Sequence, residues 1–145
     1  RVVRLPDDIY VIEDRVTGIC REDHDIRLYY NFAFGHLDGE NGKFDYTSQK
    51  GRGYTMTVQA DKKLDFEILE GSENPIGGWI SYGYAWRKPI PQLIAKHSGK
   101  APIHFITVLA PEGTKAETAI NGDAAMVTLA GGKVLTLTEN AVELH

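Results

Sequence analysis

The stretch His24-Asp25-Ile26-Arg27-Leu28-Tyr29-Tyr30-Asn31-Phe32-Ala33-Phe34 decides the fold class. Its residues alternate with period two. Ile26, Leu28, Tyr30, Phe32 and Phe34 line one side of an extended chain, and Asp25, Arg27, Tyr29, Asn31 and Ala33 line the other. That is the pattern of a strand with one face in a core and one in water. The same habit recurs on both sides of it. Ile9 to Val16 and Tyr54 to Ala60 read as strands, and in Lys63 to Glu70 Leu64, Phe66 and Ile68 oppose Asp65 and Glu67. Asp61-Lys62-Lys63 has the length of a hairpin turn.

The second half continues the pattern. Trp79 to Tyr84, Gln92 to His97 and Ile103 to Leu109 are rich in β-branched and aromatic residues. Ser98-Gly99-Lys100 joins the last two. Ala124 to Leu129 and Val134 to Leu137 flank Ala130-Gly131-Gly132-Lys133, a Gly-Gly hairpin signal. The best helix candidate, Thr114 to Ala119, meets Asn121-Gly122 too early for three turns. Two segments read as loops: Gly35 to Gly53, long and polar, and Gly71 to Gly78, short and turn-rich. Roughly ten to twelve short strands, spaced by turn signals, predict one all-β domain over residues 1–145. The expected form is an antiparallel β-sandwich.

Composition limits the function classes. With 145 residues the chain is long enough to bury a core without a metal or disulfide staple. Sixteen Lys+Arg against twenty Asp+Glu give a net charge of −4, the wrong sign for capturing nucleic acid. No apolar run reaches the length of about 18 residues that a membrane helix needs, and the first residues lack the apolar core of a signal peptide. Absence of an initiator Met suggests a processed product or a fragment. The single Cys20 excludes an internal disulfide and a cysteine-based zinc site.

Few motifs carry chemistry. None of the five histidines pairs with another at the spacing of a local zinc site, and Asp23-His24-Asp25 reads as a solvated turn. His104 is expected to be a structural histidine, and Glu13-Asp14-Arg15 a hydrated strand end. There is no Gly-x-Ser-x-Gly, and the glycine pairs lack the strand–loop–helix setting of a phosphate site. The unusual stretch is Gly77 to Pro91, which holds both tryptophans. Read as one strand, it places Ile80, Tyr82, Tyr84 and Trp86 on a common face. Aromatic rings with polar tips suit sugar rings, whose CH faces stack while their hydroxyls hydrogen-bond. Arg87 and Lys88 can pair with a carboxylate or sulfate. Tyr82, Tyr84, Trp86, Arg87 and Lys88 are therefore the candidate carbohydrate-binding residues.

Several blocks of this sequence resemble one family. Gly78-Trp79-Ile80-Ser81-Tyr82-Gly83-Tyr84 with Lys88-Pro89-Ile90-Pro91, then Pro102-Ile103-His104-Phe105-Ile106-Thr107-Val108-Leu109-Ala110-Pro111, resemble the C-terminal end of heparinase II/III-like polysaccharide lyases. The opening, Arg1-Val2-Val3-Arg4-Leu5 with Asp8 to Val16, is similar to that family's first strands here. His24 to Gly35 is similar to the strand that follows, with Asn31 and Ala33 where that pattern tends to carry polar or His residues. The resemblance implies an N-terminal α/α toroid lying outside this stretch, and cleavage of uronic-acid polysaccharides such as heparin, heparan sulfate or alginate by β-elimination. It also implies a periplasmic or secreted location. The family's catalytic residues and zinc ligands would lie upstream, so no catalytic residue, metal ligand or cofactor is assigned to this chain. The expected partners are the toroid and, through the full-length enzyme, an acidic polysaccharide; no nucleic acid or membrane is expected. A free-standing carbohydrate-binding module is the other reading.

Overall fold

The computed structural model describes residues 1–18 and 22–145. Cys20 lies outside the described residues. The described chain is all-β, with seventeen strands and a single 3-10 turn at Pro6–Asp8. Seventeen exceeds the ten to twelve expected, because several strands are only two to four residues long and period-two alternation cannot register so short a run.

Three sheets make the body. The central one has six strands, ordered β1 (Val2–Leu5), β2 (Ile9–Val16), β13 (Ile103–Pro111), β6 (Gly53–Ala60), β5 (Lys43–Ser48) and β4 (Gly35–Glu40). A three-stranded sheet of β3 (His24–Asn31), β12 (Pro91–Gly99) and β7 (Asp65–Glu70) forms a second. The third is a meander of β14 (Ala116–Asn121), β15 (Ala124–Leu129), β16 (Val134–Leu137) and β17 (Val142–Leu144). All pairings are antiparallel.

The expected sandwich therefore has three layers, with the six-stranded sheet in the middle. Strand β13 shows why. Ile106, Val108 and Ala110 pack with Ala125, Val127, Leu135 and Leu137 of the meander. Leu109, on the opposite face, packs into the other core, where Phe44, Met56 and Val58 meet Leu93 and Ala95 of the three-stranded sheet. Thr107 shares that side, and its hydroxyl lies 2.7 Å from the Tyr30 hydroxyl of the facing sheet. Burial there pushes the Tyr30 phenol up to about 12. A strand covered on both faces needs a near-continuous apolar run, and Ile103 to Ala110 is one.

The decisive strand behaves as read. Asp25, Arg27, Tyr29 and Asn31 are exposed, while Leu28, Tyr30 and Phe32 pack against the second core. Other expectations change. Gly35 to Gly53 is not a loop but the hairpin β4–β5, which turns at Asn41-Gly42. Both turn residues have positive φ, 53° and 82°, the backbone that an Asn-Gly pair accepts in a tight hairpin. Leu37, Phe44 and Tyr46 point from it into the core. The segment Gly71 to Gly78 holds two two-residue strands, β8 (Ser72–Glu73) and β9 (Ile76–Gly77). Asp61-Lys62-Lys63 is not a hairpin turn, and Ser98-Gly99-Lys100 joins β12 to β13 as expected. Each carries the chain from one layer to another, since β6 and β13 lie in the central sheet and β7 and β12 in its neighbour. Turn length alone does not distinguish pairing from crossing.

Glu13-Asp14-Arg15 is not a hydrated strand end either. Glu13 is 3% exposed and its carboxylate is shared by three cationic or polar groups. Arg1 donates to it at 2.6 Å, Arg15 at 2.9 and 3.0 Å, and the His104 Nε2 lies 2.8 Å away. The two guanidinium groups also reach the meander. Arg15 donates to the Asp123 carbonyl at 2.6 Å, and Arg1 donates to the carbonyls of Thr138 and Ala141. One buried carboxylate thus orients two arginines that tie two turns of the meander to the central sheet. Burial pushes the Glu13 carboxyl upward, but the bonds from Arg1, Arg15 and His104 outweigh it and hold the group near 2.

Candidate functional site

The stretch expected to form one strand instead folds back on itself. Strands β10 (Trp79–Gly83) and β11 (Trp86–Pro89) form an antiparallel hairpin with Trp79 opposite Pro89 and Ile80 opposite Lys88. Tyr84 and Ala85 are its tip, Ala85 at φ 58°. The pairing slips between Ile80 and Gly83, a bulge of the kind that re-aims side chains.

This fold sorts the five candidate residues into three groups. Tyr82 and Trp86 share one face with ring centroids 5.3 Å apart, and the Lys88 ammonium stands 5.4 Å from the Trp86 ring. Tyr82 is 72% exposed and Trp86 38%. Tyr84 projects from the tip, fully in solvent and outside that pair. Arg87 is on the opposite face. Its guanidinium lies 4.1 Å from the Trp79 ring centroid and donates to Glu73 at 2.6 Å. The sequence reading did not single out Glu73, because an acid in a turn carries no pattern.

The back of the hairpin explains its position. The Trp79 indole N–H donates to the Ser72 carbonyl at 2.9 Å. Gly78 receives two backbone N–H groups on its carbonyl, from Gly71 and Ile90, at 2.9 and 2.8 Å. Its φ is +70°, and a Cβ there would lie 2.6 Å from the Leu69 carbonyl oxygen and 2.7 Å from the Glu70 Cα. Backbone cannot yield as a flexible side chain does. Gly78→Ala is therefore expected to cost about 1–3 kcal/mol, localised to the hairpin. Amide hydrogen exchange would read this as faster exchange over residues 72–89 with an unchanged central sheet; uniform protection in both proteins would refute it.

Chemically, the Tyr82–Trp86–Lys88 face is a two-ring platform with an adjacent cation. It can stack a sugar ring and pair an anionic substituent. Arg87 is engaged by Glu73 and Trp79 on the other face of the hairpin, away from the Tyr82–Trp86 pair. Among the described residues no group of three or more His, Cys, Asp or Glu side chains converges as a metal cage.

The chain's sequence matches no family model and no curated protein. Its structure does match solved ones. A heparinase III (the BT4657 gene product) superposes with a TM-score of 0.68 at 16% identity, over 90% of this chain and 22% of that one. A heparan sulfate lyase, HepC of Pedobacter heparinus, superposes with a TM-score of 0.66 at 14% identity, over 94% of this chain and 23% of that one. The likeness shows a shared fold, and the chain spans under a quarter of either protein.

Proposed function

We propose that the chain is the C-terminal β-sandwich of a heparinase II/III-like polysaccharide lyase, and that it holds no catalytic group of its own. The observation that carries this reading is the structural likeness to two polysaccharide-cleaving enzymes over nine-tenths of the chain. β-Elimination at a uronate requires a base for the proton α to the carboxylate, an acid for the leaving sugar and cations to neutralise the carboxylate. The most concentrated set of ionisable groups here, Glu13 with Arg1, Arg15 and His104, is engaged in joining two sheets. In this reading an α/α toroid supplies the reacting groups, the sandwich packs on it, and the substrate is heparan sulfate or a related uronide. The enzyme would act in the periplasm or outside the cell. Purified chain mixed with heparan sulfate should release no unsaturated uronide, followed by its ultraviolet absorbance; release by the chain alone would overturn the non-catalytic role.

The exposed Tyr82–Trp86 pair beside Lys88 supports a second reading, a carbohydrate-binding face that works without the rest of an enzyme. Titrating tryptophan fluorescence with heparan sulfate, alginate and a neutral glucan tests it. Under this reading an acidic polymer gives a saturable, salt-sensitive change, and Trp86→Ala weakens binding at least tenfold. A flat response to all three polymers would leave only the scaffold role.

A further inference from the structure

The central sheet and the meander leave an opening at one end of their seam, where the 3-10 turn, the β13–β14 turn and the β15–β16 turn come together. Strands β1 and β17 are the edges of their sheets there, and the inward-facing Leu144 of β17 is 47% exposed. Between the layers at this end lies a cleft of about 420 Å³. Its apolar wall is made by Leu5, Ile9, Leu129 and Leu144. This size and lining fall within the range of small-ligand sites, which are mostly apolar with a few placed polar groups.

Two lysines frame the mouth, and the backbone fixes where they stand. The Ala130 N–H donates to the Lys115 carbonyl at 3.1 Å, and the Leu129 N–H donates to the Lys133 carbonyl at 2.8 Å. Lys115 and Lys133 thus flank Leu129-Ala130 from two neighbouring segments. Neither ammonium pairs with a carboxylate among the described residues. Asp7, in the 3-10 turn, is the acid on the opposite lip, so the lining carries two positive charges against one negative. A sugar would leave its hydroxyls against aliphatic walls, so this cleft and the Tyr82–Trp86 face do not take the same ligand.

The geometry points to this cleft as a binding site for a small amphipathic anion, with its apolar body between the sheets and its carboxylate or sulfate on Lys115 and Lys133. The inference is independent of the lyase reading. Decanoate is a suitable probe, measured by titration calorimetry on the full chain with decanol as its uncharged counterpart. Decanoate is expected to bind one to one and at least tenfold more tightly than decanol. The double variant Lys115→Glu/Lys133→Glu should lose at least tenfold, and Asp7→Asn should gain severalfold. Ala130→Trp, placed at the exposed rim, should block the cleft without disturbing a core; circular dichroism confirms that each variant is folded. Absence of saturable binding, equal affinity for decanol, or binding unchanged by the lysine or the Ala130 substitutions would each overturn the site. Binding of an acidic, leucine-bearing peptide but not of decanoate would overturn it in favour of a protein partner.

Discussion

Glu13→Ala is expected to destabilise the chain by about 3–5 kcal/mol, because it leaves Arg1, Arg15 and His104 facing one another with no anion between them. For a domain of this size that corresponds to a fall in melting temperature on the order of 10 °C. Glu13→Gln, nearly the same shape, should lose most of the same stability, which separates charge from packing. The pair Arg4–Asp8 is the control, since both partners are exposed and Asp8→Asn should change little. The pH dependence has a definite sign. The folded Glu13 carboxyl sits near 2 against an ordinary 4.5, so the unfolded chain takes up the proton first as pH falls. Its contribution is complete above about pH 5 and is lost as pH drops through about 2. Glu13→Gln should remove that part of the acid sensitivity. A melting temperature unchanged by either substitution would show that the carboxylate does not hold the layers together.

Phe44→Ala should cost about 3–5 kcal/mol in urea denaturation. Phe44 is 2% exposed, fills the core between the central and three-stranded sheets, and meets the Phe66 ring edge-on at 5.2 Å. Asp38→Asn, in the same hairpin and exposed, should have little effect. A Phe44→Ala loss below about 1 kcal/mol would return residues 35–53 to the status of a loop.

How much was legible follows from which signals are local. Residues 24–34 display their two faces in plain alternation, and the strands around Ile9 to Val16, Ala124 to Leu129 and Val134 to Leu137 keep their bounds. The β4–β5 hairpin was obscured because polar residues crowd its outer face, although Asn41-Gly42 is a strong turn signal. The third layer was legible in one place only: the near-continuous apolar run of β13, interrupted by His104 and Thr107 alone, which a strand wetted on one side would not carry. Glu13 could not be read as buried from its neighbours. Its partner His104 lies far away in sequence and only the register of β2 against β13 brings it near, while the β1–β2 pairing brings Arg1. In the candidate site the residue types were visible, but the turn at Tyr84-Ala85 was not. The turn takes Tyr84 out of the face that Tyr82 and Trp86 share, whereas alternation within β11 is enough to put Arg87 opposite Trp86.

The central claim concerns division of labour between this domain and a larger enzyme. The most direct measurement compares the chain with the longest gene product that contains it, both incubated with heparan sulfate and alginate, by the ultraviolet absorbance of unsaturated uronide. The expected result is product from the longer protein and none from residues 1–145 alone. Product from the chain by itself, or a longer protein that cleaves no uronide polymer, would contradict the account.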